Sequence, residues 1–219
     1  MSNLPELVSF KFCPFAQRDL VIAREKGIDI KVTYINLKEP PQWFLEISPF
    51  KKVPLLRVGD AVLFESAAIG EYLDELKSPS LLPDDKLTRA VDRAWIVFAS
   101  ELNMTNSKLI KAATGDEFEQ VRDSLRTQLA HLEPVVHGPY FNGEAFSLAD
   151  AAYAPFFMRI AIVDEVSPLR LFEPDSVLAS WSNRLLQRES VQQSVVEDFA
   201  AAYKAWVIGM GGHCSVLLS

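Results

Sequence analysis

Hydrophobic and polar residues in the first third of the chain alternate with the periods of strands and helices. Residues 6–12 form a short apolar run typical of a strand, and residues 14–26 place apolar side chains on one helical face until Gly27. Residues 30–37 alternate apolar and polar side chains, as a second strand does. Because a strand, a helix and a strand follow one another, we predict two parallel strands with a right-handed crossover between them.

The next segment predicts a short helix, two antiparallel strands and a third helix. Two adjacent prolines open the short helix, and the pair Gly59-Asp60 is a turn between the two strands. Ser66 lies where it can cap the third helix. The predicted elements cover residues 40–45, 53–58, 61–64 and 66–77. The resulting order βαβαββα predicts a mixed four-stranded sheet.

The chain becomes helical after a segment with the composition of a linker. Residues 78–88 combine prolines with small polar residues, and the pattern that follows contains no convincing strand. We predict helices over residues 87–112, 116–136, 147–163, 176–187 and 191–206. The predicted fold is therefore an α/β N-terminal domain over residues 1–77, a linker over residues 78–88 and an all-α helical-bundle C-terminal domain over residues 89–219.

The helix predicted over residues 147–163 is apolar enough to lie near the core. Its residues 151–163 are apolar around almost the whole circumference, which predicts burial on nearly all sides. Ser147 and Asp150 form a capping box at its start, with Asp150 in the place of the usual Glu or Gln, so we assign both a structural role. We interpret the large aromatic residues of the helical region as core residues as well: Trp95, Phe98, Trp181 and Trp206.

Composition and charge exclude several classes of function. The 219 residues are 49% hydrophobic and 23% charged, as in an ordinary globular protein. The net charge of −7 argues against a phosphate-neutralising surface, so we expect no nucleic-acid partner. The longest apolar stretch contains Arg159 and is too short to span a bilayer, and the first residues lack the pattern of a signal peptide. We therefore expect no membrane association and a cytoplasmic location.

The two cysteines, Cys13 and Cys214, lie near opposite ends of the chain. They do not make the disulfide framework of a small secreted domain, which favours a reducing compartment. Cys214 follows His213 in a tail that contains several glycines, and we interpret it as an incidental thiol in a mobile terminus. One Cys-His pair lacks the ligand count of a structural zinc site, so we predict no bound metal.

Cys13 is the leading candidate for chemistry because it lies where a strand ends and a helix begins. Unpaired N–H groups at a helix N-terminus carry about half a positive charge, which favours a thiolate over a thiol. Pro14 supports this placement, since proline fits the first helical position. Free cysteines are more often small hydrophobic residues of the core. The Cys-Pro step at a helix start nevertheless favours the reactive interpretation, with a lowered thiol pKa.

Four motifs, in this order along the chain, resemble those of the glutathione transferase superfamily, and within it the cysteine-type, omega-like members. They are Phe12-Cys13-Pro14-Phe15-Ala16-Gln17-Arg18, Val53-Pro54, Phe64-Glu65-Ser66-Ala67 and Phe146-Ser147-Leu148-Ala149-Asp150. Together they span nearly the whole chain. The resemblance implies a thioredoxin-like N-terminal domain followed by an all-helical domain, which agrees with the predicted elements.

The resemblance also implies a glutathione-binding site around Cys13, which would be the nucleophile. It makes Val53-Pro54 a cis peptide bond, so that the Val53 backbone pairs with the cysteinyl unit of glutathione like an added strand. Glu65 would bind the ammonium group of the γ-glutamyl unit, and Ser66 with the N–H groups behind it would bind the carboxylate. Phe15 is the remaining residue placed against glutathione. Taken alone, Pro54 equally fits the start of an edge strand, and Glu65 and Ser66 fit an exposed acid and a helix cap.

One departure from the omega pattern concerns the glycyl end of glutathione. Relatives often place a lysine in the short helix before the Pro-Phe loop, where it contacts the glycyl carboxylate. Alignment on the flanking aromatic residues puts Glu46 or Ile47 there, and neither is a cation. Lys52 is the first substitute because it adjoins Val53, although an exposed, solvated lysine is the competing interpretation. The other substitutes are Lys38 and Lys51.

A cysteine at this position favours thiol–disulfide exchange, and Ala16 stands where a dithiol motif would have its resolving cysteine. We predict a glutathione-dependent thiol transferase or reductase with a single nucleophilic cysteine and glutathione as co-substrate. Its reaction would be deglutathionylation, dehydroascorbate reduction or reductive removal of glutathione from a small thioether. The alternatives are conventional conjugation of glutathione to electrophiles, and a non-catalytic interaction protein comparable to the stringent-starvation regulators. The family's habit predicts a homodimer, with residues 87–112 as a candidate interface helix.

Overall fold

A mixed four-stranded sheet forms the N-terminal part of the computed structural model, which describes residues 4–219. Its strands are β1 (Glu6–Ser9), β2 (Lys31–Tyr34), β3 (Leu55–Val58) and β4 (Ala61–Phe64). The order across the sheet is β2-β1-β3-β4; β1 and β2 are parallel, and the other neighbours are antiparallel. Leu7 and Leu56 belong to the main core, whereas Val8 and Leu55 pack with Phe44 in a second cluster. Because side chains alternate along a strand, the sheet is covered on both faces.

Ten helices accompany the sheet in the described residues. They are α1 (Pro14–Glu25), α2 (Gln42–Ile47), α3 (Ser66–Glu75), α4 (Lys86–Leu109), α5 (Gly115–Ala130), α6 (Leu148–Asp164), α7 (Val177–Leu186), α8 (Glu189–Gln192), α9 (Phe199–Ile208) and α10 (His213–Leu218). Helix α1 packs against α3, and α4 packs against α5 and α6. A mixed α/β sheet followed by a helical bundle confirms the predicted fold class.

Several predicted elements are longer than the observed ones. The strand predicted over residues 6–12 ends at Ser9, because the chain then turns and the Cys13 N–H donates to the Phe10 carbonyl at 3.1 Å. The strand predicted over residues 30–37 is likewise shorter at both ends. The helices predicted to end at residues 112 and 136 end at Leu109 and Ala130.

The single helix predicted over residues 191–206 is wrong, because two helices occupy this part of the chain. Helix α8 ends at Gln192 and α9 begins at Phe199. Asp198 has a φ of 53°, in the left-handed region, which interrupts a right-handed helix. Ser194 accepts a hydrogen bond from Gln17 Nε2 at 3.0 Å, so the interruption is tied to α1.

The C-terminal tail forms α10, which packs against α5 and α9. Gly211 and Gly212 have φ values of 74° and 88°, which glycine adopts readily, and they turn the chain back onto the bundle. The His213 N–H then donates to the Ala112 carbonyl at 2.8 Å, and Cys214 is fully buried. The interpretation of this tail as a mobile terminus is therefore wrong.

Helix α6 is central, because it packs against α1 of the sheet domain and α4 of the helical domain. Its side chains are almost all buried, as its apolar sequence predicts. Both hydrogen bonds of the capping box between Ser147 and Asp150 are present. Asp150 also accepts from the Phe141 N–H at 2.9 Å and from Trp181 Nε1 at 2.7 Å. One carboxylate therefore joins the start of α6 to the preceding loop and to α7.

The connection between the two domains runs from Glu75, the last residue of α3, to Lys86, the first residue of α4. The division into residues 1–77, 78–88 and 89–219 stays a prediction. Residues 1–3 of the first predicted domain lie outside the described part of the chain. None of the helices in residues 4–219 has the length and hydrophobicity needed to cross a membrane.

Candidate functional site

Cys13 is the N-cap residue of α1, as predicted. Its φ and ψ of −73° and 115° are extended, and Pro14 is the first residue of the helix. Proline fits there because an N–H at that position has no partner within the helix. The Cys13 residue is only 5% exposed. The thiol therefore lies at the positive end of α1 with little contact with solvent.

The surroundings of the Cys13 thiol act on its pKa in opposite directions. Burial raises the pKa, because a thiolate is poorly solvated there, and this effect outweighs the others. The N–H groups of Ala16 and Phe15 lower the pKa, as the helix N-terminus predicts, and so does the Ser9 hydroxyl. The positive charge of Arg159 also lowers it. The expectation of a lowered thiol pKa is thus wrong for this structure, although the predicted helix N–H groups favour the thiolate.

A cleft of about 840 Å³ opens beside Cys13, between the sheet domain and the helical domain. This volume is in the range of small-molecule sites, roughly 300–1,000 Å³. Every residue predicted to bind glutathione lines this cleft: Phe15, Lys52, Val53, Glu65 and Ser66. The fold thus brings separate sequence motifs to one opening.

The Val53-Pro54 peptide bond is cis, as the resemblance implies. Pro54 is buried directly before β3, and Val53 is half-buried and lines the cleft. The preceding loop is held by the Ser48 hydroxyl, which accepts from the Lys52 N–H at 3.2 Å and donates to the Lys52 carbonyl at 3.3 Å. The backbone next to Val53 therefore has a fixed position at the edge of the cleft.

Glu65 and Ser66 lie at the start of α3, but Ser66 does not cap the helix as predicted. Glu65 is the N-cap residue, with a φ of 67°, and Ser66 is the first helical residue. The Ser66 hydroxyl accepts a hydrogen bond from Arg18 Nε at 3.0 Å. A positive φ in a residue other than glycine costs about 1–3 kcal/mol, and such strain is concentrated at functional sites. The prediction of Ser66 as the cap is wrong, and its hydroxyl is held beside the cleft by an arginine instead.

Comparison with known proteins identifies the family of this chain. The sequence model described as "Glutathione S-transferase, N-terminal domain" matches residues 12–76. Glutathione S-transferase omega-1 of Sus scrofa is 32% identical over 167 residues, which are 74% of this chain and 69% of that protein. The chain belongs to the glutathione S-transferase family.

Two further matches are a solved omega transferase and a stringent starvation protein homolog. Glutathione transferase Omega 3C from Trametes versicolor has a TM-score of 0.78 and 29% identity, covering 89% of this chain and 90% of that chain. A stringent starvation protein A homolog of Coxiella burnetii is 30% identical over 81% of this chain and 85% of that protein. The omega relatives confirm that this is an omega-like transferase enzyme with a thioredoxin-like N-terminal domain.

Three lysines of the sheet domain line the cleft of the transferase. Lys51 and Lys52 are exposed and line it, as does Lys38, whereas neither Glu46 nor Ile47 is among the lining residues. Lys51 has a φ of 54°, so the loop bends sharply before Val53. The cleft thus carries cations near the predicted position of the glycyl carboxylate.

The helical domain of the transferase contributes residues that sequence reasoning missed. Arg159 on α6 and Tyr203 on α9 both line the cleft. Trp206 lines it too and stacks on Phe12 with ring centroids 5.0 Å apart. It is half-buried and packs against the core, as interpreted, but it also faces the cleft. Trp181, by contrast, is fully buried, as predicted. Arg159 is the charged residue in the apolar stretch 151–163. A single charge in such a stretch is the sequence signal that could have identified Arg159 as functional.

Proposed function

We propose that this omega-like transferase is a glutathione-dependent thiol transferase that works through the single sulfur of Cys13. The omega relatives support glutathione-dependent thiol transfer at the level of the family. The observation that carries the finer proposal is a cysteine at the N-cap of α1, lining the cleft where Val53, Glu65 and Ser66 meet. A hydroxyl there would only hydrogen-bond the sulfur of glutathione, whereas a cysteine is itself a nucleophile.

In this proposal, glutathione lies along the cleft with its sulfur at Cys13. The Val53 backbone pairs with the cysteinyl unit, and Glu65 binds the ammonium group. Ser66 and the N–H groups at the start of α3 bind the γ-glutamyl carboxylate, because a helix N-terminus attracts anions. Lys52 is the first candidate for the glycyl carboxylate, since it adjoins Val53 and lines the cleft. The Phe15 ring also lines the cleft.

The reaction is an exchange of sulfur bonds in two steps. The Cys13 thiolate attacks the glutathionyl sulfur of a mixed disulfide; the Cys13–glutathione disulfide forms, and the substrate thiolate leaves and takes up a proton. The thiolate of a second glutathione then attacks the glutathionyl sulfur on Cys13. Oxidised glutathione is released, and the Cys13 thiolate returns. One molecule of reduced glutathione is consumed in each cycle, and the other half of the oxidised glutathione is the glutathionyl group that came from the substrate.

A resolving cysteine has no part in this scheme. Ala16 occupies the position of a second thiol in a dithiol motif. Cys214 is fully buried, and burial raises the pKa of its thiol to about 11, so it is a poor nucleophile at neutral pH. Of the two cysteines, Cys13 lines the cleft and Cys214 does not.

The proposal is tested by following sulfur exchange on the protein itself. Oxidised glutathione should add one glutathionyl group, visible by intact-mass spectrometry, and reduced glutathione should remove it. Cys13→Ala should abolish both this adduct and the reduction of a glutathionylated substrate. Cys214→Ala, which removes the other thiol, is the matched control and should retain both.

Other outcomes select the alternatives. Retained reduction by Cys13→Ala would contradict the single-cysteine mechanism. Conjugation of an electrophile without any adduct on Cys13 would favour conventional transferase chemistry. Failure of glutathione to bind in calorimetry, with a protein partner that co-purifies, would favour an interaction protein.

We also propose that the transferase is a homodimer in the cytoplasm, where glutathione keeps its two free cysteines reduced. Phe50 is 61% exposed and makes an edge contact with Phe64, which is 40% exposed. On α4, Val97 and Met104 are 57% and 54% exposed. A contiguous exposed apolar patch marks a protein–protein interface, and the contact between Phe50 and Phe64 is the observation that supports the dimer. The choice of α4 as the interface helix rests on the resemblance to the family.

A further inference from the structure

Arg159 is a buried cation that reaches from the helical domain to the turn that carries Cys13. The residue is 2% exposed on α6. Its Nη2 donates to the Phe12 carbonyl at 3.1 Å, and its Nη1 donates to Gln17 Oε1 at 2.5 Å. Phe12 precedes Cys13, and the Gln17 N–H donates to the Cys13 carbonyl at 3.2 Å. The guanidinium therefore holds the Cys13 turn from both sides.

No carboxylate balances the charge of Arg159 within residues 4–219. Its other hydrogen bond is to the Pro155 carbonyl at 2.7 Å, and its Nε is buried without an acceptor. The rings of Phe199 and Tyr203 lie 5.3 and 5.7 Å from its guanidinium carbon. Burial of an unpaired charge is costly, and an anion that forms nearby offsets part of that cost.

Other charged and titratable groups near this turn do not supply that anion. Burial lowers the pKa of Arg159 to about 10, so it is still a cation at neutral pH. Burial raises the pKa of Tyr203 on α9 to about 12, which keeps its phenol neutral. On α1, burial raises the pKa of Asp19 well above its ordinary value, and Asp19 faces Arg18. Glu65, before α3, is exposed and also interacts with Arg18. Arg159 favours the ionisation of both Tyr203 and Cys13, and of these two a thiol ionises nearer neutral pH than a phenol. Arg18, on α1, is a second cation that interacts with Cys13.

We propose that Arg159 is the counter-ion of the Cys13 thiolate, a positioning residue that the helical domain supplies to the nucleophile of the sheet domain. This inference rests on the proposed function of Cys13. The chemistry is a proton transfer only: the thiol proton goes to water, and the remaining negative charge is stabilised by the guanidinium, which is bonded to the same turn. The hydrogen bonds to Phe12 and Gln17 fix the guanidinium where that charge forms.

Gln17 has a particular part in this arrangement, because it holds Arg159 through a neutral oxygen. A carboxylate at residue 17 would have nearly the same shape but would neutralise the guanidinium through the contact that now measures 2.5 Å. Gln17→Glu therefore removes the effect of the cation on Cys13 while Arg159 stays in place, and Ser194→Ala controls for the hydrogen bond that Gln17 Nε2 donates to Ser194. Gln17→Glu tests the charge of Arg159 separately from its packing.

The experiment measures the rate at which iodoacetamide alkylates Cys13 as a function of pH. All variants carry Cys214→Ala, so that one thiol reacts. Arg159→Gln should raise the apparent pKa of Cys13 by one unit or more, which lowers the rate at pH 7 about tenfold. Arg159→Lys should give an intermediate rate, because the charge remains but the planar fork is lost.

Arg188→Gln is the matched control. Arg188 also bridges the two domains, but it pairs with Glu25 at the end of α1, with Nε 2.5 Å from Oε1. Its loss should leave the alkylation profile of Cys13 unchanged. A folded Arg159→Gln protein with the same profile as Arg188→Gln would overturn the inference.

Folding of each variant is checked by circular dichroism and thermal unfolding. If Arg159→Gln does not fold, Gln17→Glu decides: a raised apparent pKa supports the counter-ion role, and an unchanged profile refutes it. The two proposals fail in different ways. If alkylation depends on Arg159 but oxidised glutathione leaves no adduct, the proposed function fails and the inference stands. If the adduct forms at the same rate in Arg159→Gln and in the parent protein, the inference fails and the proposed function stands.

Discussion

Replacement of Asp150 by alanine tests the structural role of the carboxylate at the start of α6. Asp150 is fully buried and accepts four hydrogen bonds. Oδ1 accepts from the Phe141 N–H and from Trp181 Nε1, and Oδ2 accepts from the N–H and the hydroxyl of Ser147. Asp150→Ala leaves the three N–H donors buried without an acceptor.

The size of the effect follows from these donors. A buried donor left unsatisfied costs about 1–3 kcal/mol, so three of them cost roughly 3–9 kcal/mol. Burial raises the pKa of Asp150, which means that its charge is itself costly to bury and that part of this loss is recovered. We therefore expect a loss of about 4 kcal/mol in the free energy of unfolding, near the upper end for single substitutions. The melting temperature should fall by roughly 8–16 °C.

Urea unfolding and thermal melting measure this loss, and alkylation of Cys13 in the surviving native protein reports on the site. Asp116→Ala is the control, since Asp116 lies exposed in the first turn of α5 and should cost less than about 1 kcal/mol. If Asp150→Ala unfolds within about 1 kcal/mol of the parent protein but has lost activity, Asp150 belongs to the chemistry and the structural reasoning is wrong.

Three further predictions concern the thiol, the tail and the exposed apolar surface. Since burial raises the pKa of Cys13, the rates of its alkylation and of reductase turnover should increase with pH above neutrality. A stopped assay over a pH series measures both rates, and a rate already at its plateau at pH 7 would contradict this prediction. Gly212→Ala should lower the free energy of unfolding by about 1–3 kcal/mol, because φ is 88° and the new Cβ would lie 2.7 Å from the Ala112 carbonyl oxygen. Gly211→Ala, whose Cβ would lie in open space, should lower it by less, and urea unfolding measures both variants. Phe50→Asp should shift the protein to monomer in analytical ultracentrifugation, and an unchanged sedimentation coefficient would count against Phe50 in the interface.

Local signals explain which parts of the fold were predictable. Pro14 and Gly27 mark the two ends of α1 because their preferences act within a few bonds, and the structure has both where the sequence places them. The capping box of Ser147 and Asp150 is local in the same way. The alternation of apolar residues predicts the four strands of the sheet. It does not predict where the strands end, because the ends are set by turns.

Distant contacts explain what the sequence did not reveal. Asp198 and Ser194 interrupt the last long helical pattern, and Ser194 is held by Gln17 from α1. The glycines of the tail suggest mobility when the sequence is read alone, but their positive φ values turn the chain so that His213 bonds to Ala112. Arg159 reaches Gln17 across 142 residues of sequence, and no periodic pattern records such a meeting.

The position of α6 has a consequence for what holds the two domains together. Helix α6 is buried against α1 on one side and α4 on the other, and Arg188 of the helical domain pairs with Glu25 of α1. The covalent connection between residues 75 and 86 is therefore not what keeps the halves associated. A chain nicked there by a protease would stay assembled under native conditions, and both fragments would dissociate and melt in one cooperative step.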